Sequence, residues 1–150
     1  MTKQQLQQEL KQAMLSKDTV KTSVLRMVIS AIGYYEIQKG GAGYEATEED
    51  VQIVIEKEAK KIKDSIEQFR AAGRTELVDK ETGELEILKK YLPEQMTEEE
   101  IKKLVIDAIA TTNATSPADM GKVMGALMTQ TKGKADGGTV SKIVKEELSK

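Results

Sequence analysis

Apolar residues recur along this chain at every third or fourth position, and that spacing predicts helices from end to end. Leu6, Leu10, Ala13 and Met14 form a first stripe that ends near Ser16-Lys17-Asp18. A second runs through Val20, Val24, Leu25, Val28, Ile32 and Tyr35 and stops at Gly40-Gly-Ala-Gly43, a flexible break. Thr47-Glu-Glu-Asp50 predicts a capping box, with Asp50 in place of the usual Glu or Gln. The long helix behind it turns Val51, Ile55, Ile62, Ile66 and Phe69 inward until Ala72-Gly73. A fourth segment starts at Thr75 and carries Leu77, Val78, Leu85, Leu88 and Leu92, with Gly83 placed to bend or split it. Pro93 marks a boundary. Thr97-Glu-Glu-Glu100 predicts a second capping box ahead of Ile101, Leu104, Val105, Ala108 and Ile109. Ser116-Pro-Ala-Asp119 predicts a third, leading into Met120, Val123, Met124, Leu127 and Met128. A last helix after Asp136 buries Val140, Ile143, Val144 and Leu148. No alternating run predicts a strand. The expected fold is all-α, a four-helix N-terminal subdomain over residues 1–92 and a three-helix C-terminal module over 93–150.

Composition narrows the chemistry. The chain has no cysteine and no histidine, which excludes disulfides, thiol nucleophiles, imidazole acid–base catalysis and serine triads built on histidine. Only five residues are aromatic, one Phe and four Tyr, too few for a typical β-sandwich or barrel. The acidic runs Glu48-Glu49 and Glu98-Glu99-Glu100 fall in first helical turns, where carboxylates favour the positive end of the helix. No metal or cofactor site is therefore expected. The N-terminal residues hold no apolar signal core and no run reaches membrane-spanning length, so a cytoplasmic monomer without membrane contact is expected. Asn113-Ala-Thr115 matches a glycosylation acceptor, which carries no meaning without secretion. Of the three arginines, Arg26 lies within an apolar stripe and is expected to pair or cap across the N-terminal helices, while Arg74, after Gly73, braces a turn.

Charge changes the picture near the C-terminus. The whole chain is −2, yet residues 120–145 carry Lys122, Lys132, Lys134, Lys142 and Lys145 against the single acid Asp136. A cationic segment on an acidic protein points to a polyanion. Gly121 and Gly125 stand four apart in the same predicted helix, each costing it about 1 kcal/mol relative to alanine. Two readings of the pair stay open: an RNA backbone lying against a bare helix face, or two helix axes packing closely. Lys132-Gly-Lys-Ala-Asp-Gly-Gly138 reads as a turn with Asp136 as cap, offering lysines and the amides around Gly133 and Gly137 to phosphate. It is no nucleotide-binding loop, because Met128 occupies the first glycine position and Ala135 that of the magnesium-binding hydroxyl. With no aromatic residue in the segment, base stacking is ruled out, and any RNA contact should read shape and phosphates.

The motifs Val24-Leu25-Arg26, Ala72-Gly73-Arg74, Leu88-Lys-Lys-Tyr-Leu-Pro-Glu-Gln95, Met120-Gly-Lys-Val-Met-Gly125 and Gly133-Lys-Ala-Asp-Gly137 together resemble the GatB/YqeY family over nearly the whole chain. The length is similar to the stand-alone YqeY form. In a longer relative, the B subunit of the tRNA-dependent amidotransferase, a similar module forms the C-terminal tail. The resemblance implies two helical subdomains and contact with tRNA, and it brings a label of carbon–nitrogen ligase with glutamine as amide donor. Lys134 departs from the family's arginine and forfeits a bidentate grip on phosphate. Thr82-Gly83 interrupts a segment that the family keeps as a charged helix.

Three functions follow as expectations. The first is a non-catalytic accessory protein that binds tRNA or another structured RNA through the C-terminal lysines. The second is a component of glutamine-dependent amide transfer, acting with an amidotransferase or aminoacyl-tRNA synthetase that supplies the catalysis. The third is a protein–protein adaptor with Met120, Met124 and Met128 in an adaptable apolar groove.

Overall fold

Side-chain caps set most of the helix starts. Thr2 accepts the amide of Gln5 and the Gln5 side chain answers to the Thr2 amide, opening α1 (Lys3–Leu15). Asp18 caps α2 (Thr19–Gly40) through the Lys21 amide. The boxes expected at Thr47 and Thr97 form and open α3 (Glu48–Ala71) and α5 (Glu98–Thr112). With α4 (Thr75–Lys89), α6 (Met120–Thr131) and α7 (Gly137–Leu148), the computed structural model describes Met1–Lys150 as seven α-helices without a strand. The all-α class read from the spacing holds.

The chain divides into two compact units, Met1–Leu92 and Pro93–Lys150. In the first, α2 lies against α1, α3 and α4, and α3 lies along α4. Its core gathers Leu6, Val24, Leu25, Val28, Ile32, Val51, Ile55 and Leu88, all nearly or wholly shielded from water. In the second, α5 packs on both α6 and α7 around Ile101, Val105, Val123, Leu127, Val140 and Val144.

Asp50 does more than complete its capping box. Its buried carboxylate accepts Lys39 Nζ at 2.5 Å, Tyr44 Oη at 2.6 Å, Tyr35 Oη at 3.1 Å and the Thr47 amide at 3.0 Å. Lys39 above all, then Tyr44 and the Thr47 amide, hold its pKa well below the usual carboxylate range. This knot fixes the glycine-rich α2–α3 connection.

Several local expectations fail. Gly83 neither bends nor splits its segment; α4 is continuous through it. Leu85 and Leu88, just beyond it, are buried in the first core where α4 lies along α3, and tertiary packing outweighs the local cost of one glycine. Ser116 makes no side-chain cap. Instead Asp119 reaches back to the Thr115 amide at 3.0 Å, and a 3-10 turn over Pro117–Asp119 leads into α6. Arg26 forms no ion pair. It is exposed, with Nη2 3.9 Å from Met14 Sδ. The α1 carboxylate of that region, Glu9, pairs with Lys21 at 3.4 Å and accepts the Tyr91 hydroxyl. Arg74 does brace its turn, with Nε 2.7 Å from Glu76 Oε1.

Candidate nucleic-acid interface

Every candidate binding residue lies on α6, on α7 or in the five residues between them. Val123 and Leu127 pin α6 to the second core, and the helical period then turns Gly121, Lys122, Gly125 and Thr129 outward. A Cβ added at Gly121 or Gly125 meets nothing within 4 Å. The small residues are therefore not where two helices close on each other. Of the two readings left open by the sequence, helix packing is withdrawn and the bare face remains.

The connection is held firmly. Thr131 is buried and its hydroxyl donates to the Leu127 carbonyl at 3.0 Å. Its own carbonyl accepts the amides of Lys134 and Ala135. Gly133 has φ +77°, in the left-handed region that only glycine enters without strain. The Gln95 side-chain amide donates to the Gly133 carbonyl at 3.0 Å, and the Met96 amide to the Lys134 carbonyl at 2.8 Å. Two residues outside the charged segment thus hold the connection from below, a role that sequence spacing did not disclose because it depends on contacts 38 residues apart.

Asp136 caps α7 by accepting the Thr139 amide at 3.2 Å, as expected. A Cβ on Gly138 would come to 3.1 Å from its Oδ2, a tight approach that the capping carboxylate would have to yield to, whereas Gly137 stands clear. An anion arriving at this helix end meets a carboxylate already in place.

The lysines differ in their surroundings. Lys132 and Lys134 flank Gly133 in the connection, both exposed. Lys142 and Lys145 lie on the outward side of α7, set there by burial of Val140, Ile143 and Val144. Glu146 follows one turn after Lys142. Lys122 has Asp119 Oδ1 at 3.8 Å. That carboxylate sits below its ordinary pKa because the Thr115 amide donates to it, with Lys122 contributing less. Glu147 binds Lys150 at 2.8 Å and Lys102 at 3.7 Å. Pro93–Lys150 holds eight lysines and nine acids, so the positive character belongs to one stretch of the unit and not to its whole surface.

The three methionines of α6 separate. Met120 and Met124 pack partly buried against the second core, and Met128 is 62% exposed beside the bare glycine face. They form no common groove. No three carboxylates converge anywhere in the chain.

A family model described as "Yqey-like protein" matches residues 3–148. Among curated proteins, the chain is similar to altered inheritance of mitochondria protein 41, mitochondrial, of Saccharomyces cerevisiae, with 33% identity over 127 residues, 81% of this chain and 68% of that protein. It is 35% identical over 144 residues to the like-named protein of Pyrenophora tritici-repentis, covering 94% of this chain and 77% of the relative. The expectation of a cytoplasmic protein is corrected by these names, which are those of mitochondrial proteins. Its grounds were the missing signal core and the missing membrane span. Those bear on secretion and insertion and do not separate cytoplasm from mitochondrion.

Proposed function

We infer a function from one premise: the chain belongs to the YqeY-like family, whose model spans it almost end to end. We propose that it is a helical accessory protein that binds tRNA or another structured RNA through its C-terminal unit and performs no catalysis of its own. One observation carries the reading. Gly121 and Gly125 keep a strip of α6 free of side chains, facing open space, directly beside Lys122. Each glycine costs its helix about 1 kcal/mol, and no packing inside the unit returns it. A phosphodiester backbone is a ligand that gains from such clearance, with Lys122 and Lys134, Lys142 and Lys145 as contacts along its path. Lysine ammonium groups suit this role as point charges, without the bidentate geometry of arginine.

The use of this binding would be delivery of tRNA to an amidotransferase or synthetase that contributes all of the chemistry. Purified chain is accordingly expected to hydrolyse no glutamine.

Filter binding of tRNA to the full chain, titrated in dilute and in moderate salt, tests the proposal. Affinity should fall with salt at a slope of roughly −0.7 to −0.9 per phosphate contacted. Lys142→Ala and Lys145→Ala should each reduce the magnitude of that slope by about one, with little dependence on RNA sequence. Absence of binding in dilute salt, or lysine variants that bind like the parent, would overturn it.

A further inference from the structure

The second exposed feature of the molecule lies in the other unit, on α2. Val24, Leu25, Val28 and Ile32 bury one side of this helix. At about 100° per residue, the opposite half carries Thr19, Val20, Thr22, Ser23, Arg26, Met27, Ser30, Gly33, Tyr34, Ile37 and Gln38. Arg26 is the only charged residue among them. A solvent-facing helix surface ordinarily alternates many charges, as α3 does with its Lys57–Asp64 run. Here Tyr34 is 72% exposed, Ile37 66% and Val20 44%, and at the N-terminal end Met14 and Leu15 of α1 add 49% and 70%. A groove of about 590 Å³ at that end is lined by Met14, Lys17, Thr19, Thr22, Ser23 and Arg26. Between the two ends Ser23, Ser30 and Gly33 are small residues around Arg26 and Met27, and a Cβ on Gly33 meets nothing within 4 Å.

We propose that this face of α2 docks an amphipathic helix of a partner protein that carries a carboxylate near its midpoint. The apolar residues at the two ends supply anchors, and the small residues between them let the axes approach. Arg26 meets no carboxylate in its own chain; its one side-chain contact is Met14 Sδ, and the groove it lines includes no acid. A partner's Asp or Glu therefore finds a guanidinium ready for bidentate pairing. A second copy of this chain does not fit. Antiparallel pairing centred on the face brings Arg26 within about one and a half turns of its mate, and parallel pairing sets the two side by side, with no acid among the residues of that half of α2. A membrane surface is matched by many cations around the apolar residues, and this face has one, with Lys17 at its edge. RNA is matched poorly by exposed Tyr34, Ile37, Met14 and Leu15 around so little charge.

The test is a photo-reactive residue placed at Ser30 of the full chain, expressed in its native cells in place of the normal copy. The same residue at Gln68, on the exposed side of α3, serves as control. The expected result is a Ser30-specific adduct with one protein, whose cross-linked peptide is an amphipathic helical segment containing an acid. Arg26→Glu should lower the adduct yield about ten-fold or more, and changing the partner's acid to Lys should restore it. Circular dichroism establishes that Arg26→Glu remains folded, as an exposed substitution should. An adduct with RNA, with lipid or with a second copy of the chain overturns the proposal. So does a yield no higher than at Gln68, or one that a folded Arg26→Glu chain leaves unchanged.

Discussion

An alanine at Gly121 or Gly125 adds a methyl group where nothing lies within 4 Å, so its effect on the fold and its effect on a ligand have opposite signs. Each substitution should raise stability by about 1 kcal/mol in urea denaturation while weakening tRNA binding in the filter assay. A pair that gains stability and binds as before removes the RNA backbone from that face. At the same scale, Asp50 links the fold to pH. Its folded pKa is depressed by Lys39, Tyr44 and the Thr47 amide, so its stabilisation is complete above the unfolded value of about 3.9 and is lost as the pH falls below it. Glu36, held down by Lys3 and the Ala46 amide, acts in the same direction. The urea midpoint should therefore drop on acidification through that range, and Asp50→Asn should show both a lower midpoint at neutral pH and a smaller drop. The Asp50 capping box was legible in the sequence because it is local. Its Tyr35 and Lys39 partners were not, since they arrive from α2 across a glycine-rich connection.

Glycine carries different meanings in different elements, and the same substitution exposes the difference. Gly83 lies in mid-helix with open space around it, so Gly83→Ala should stabilise by about 1 kcal/mol. Gly133 turns the α6–α7 connection with φ +77°, so Gly133→Ala should cost about 1–2 kcal/mol. The second change should also disturb the carbonyl to which Gln95 donates and weaken RNA binding. Urea midpoints of the two variants check the signs. Helix existence was readable at this scale from the apolar period and from Thr47 and Thr97. The entry to α6 was not, because Ser116-Pro-Ala-Asp119 matches a capping box in composition while Asp119 commits its carboxylate to Thr115. Nor was the openness around Gly121 and Gly125 readable, since small residues four apart look alike whether a helix or solvent faces them.

Two separate cores make the whole molecule two stability problems. Leu88 in the first and Leu127 in the second are both fully buried, and truncation of either to alanine should cost about 2–5 kcal/mol. The C-terminal unit, Pro93–Lys150, is of the size at which a single core leaves little stability to spare. Leu127→Ala should accordingly abolish hydrogen-exchange protection in α5, α6 and α7 while α1–α4 keep theirs, and Leu88→Ala should spare the C-terminal helices. The functional consequence separates along the same line. With RNA contact proposed in one unit and helix docking in the other, Leu127→Ala should lose tRNA binding and retain the Ser30 cross-link. If exchange protection instead collapses through all seven helices in both variants, the two cores unfold as one, and neither activity can be assigned to a unit by destabilising the other.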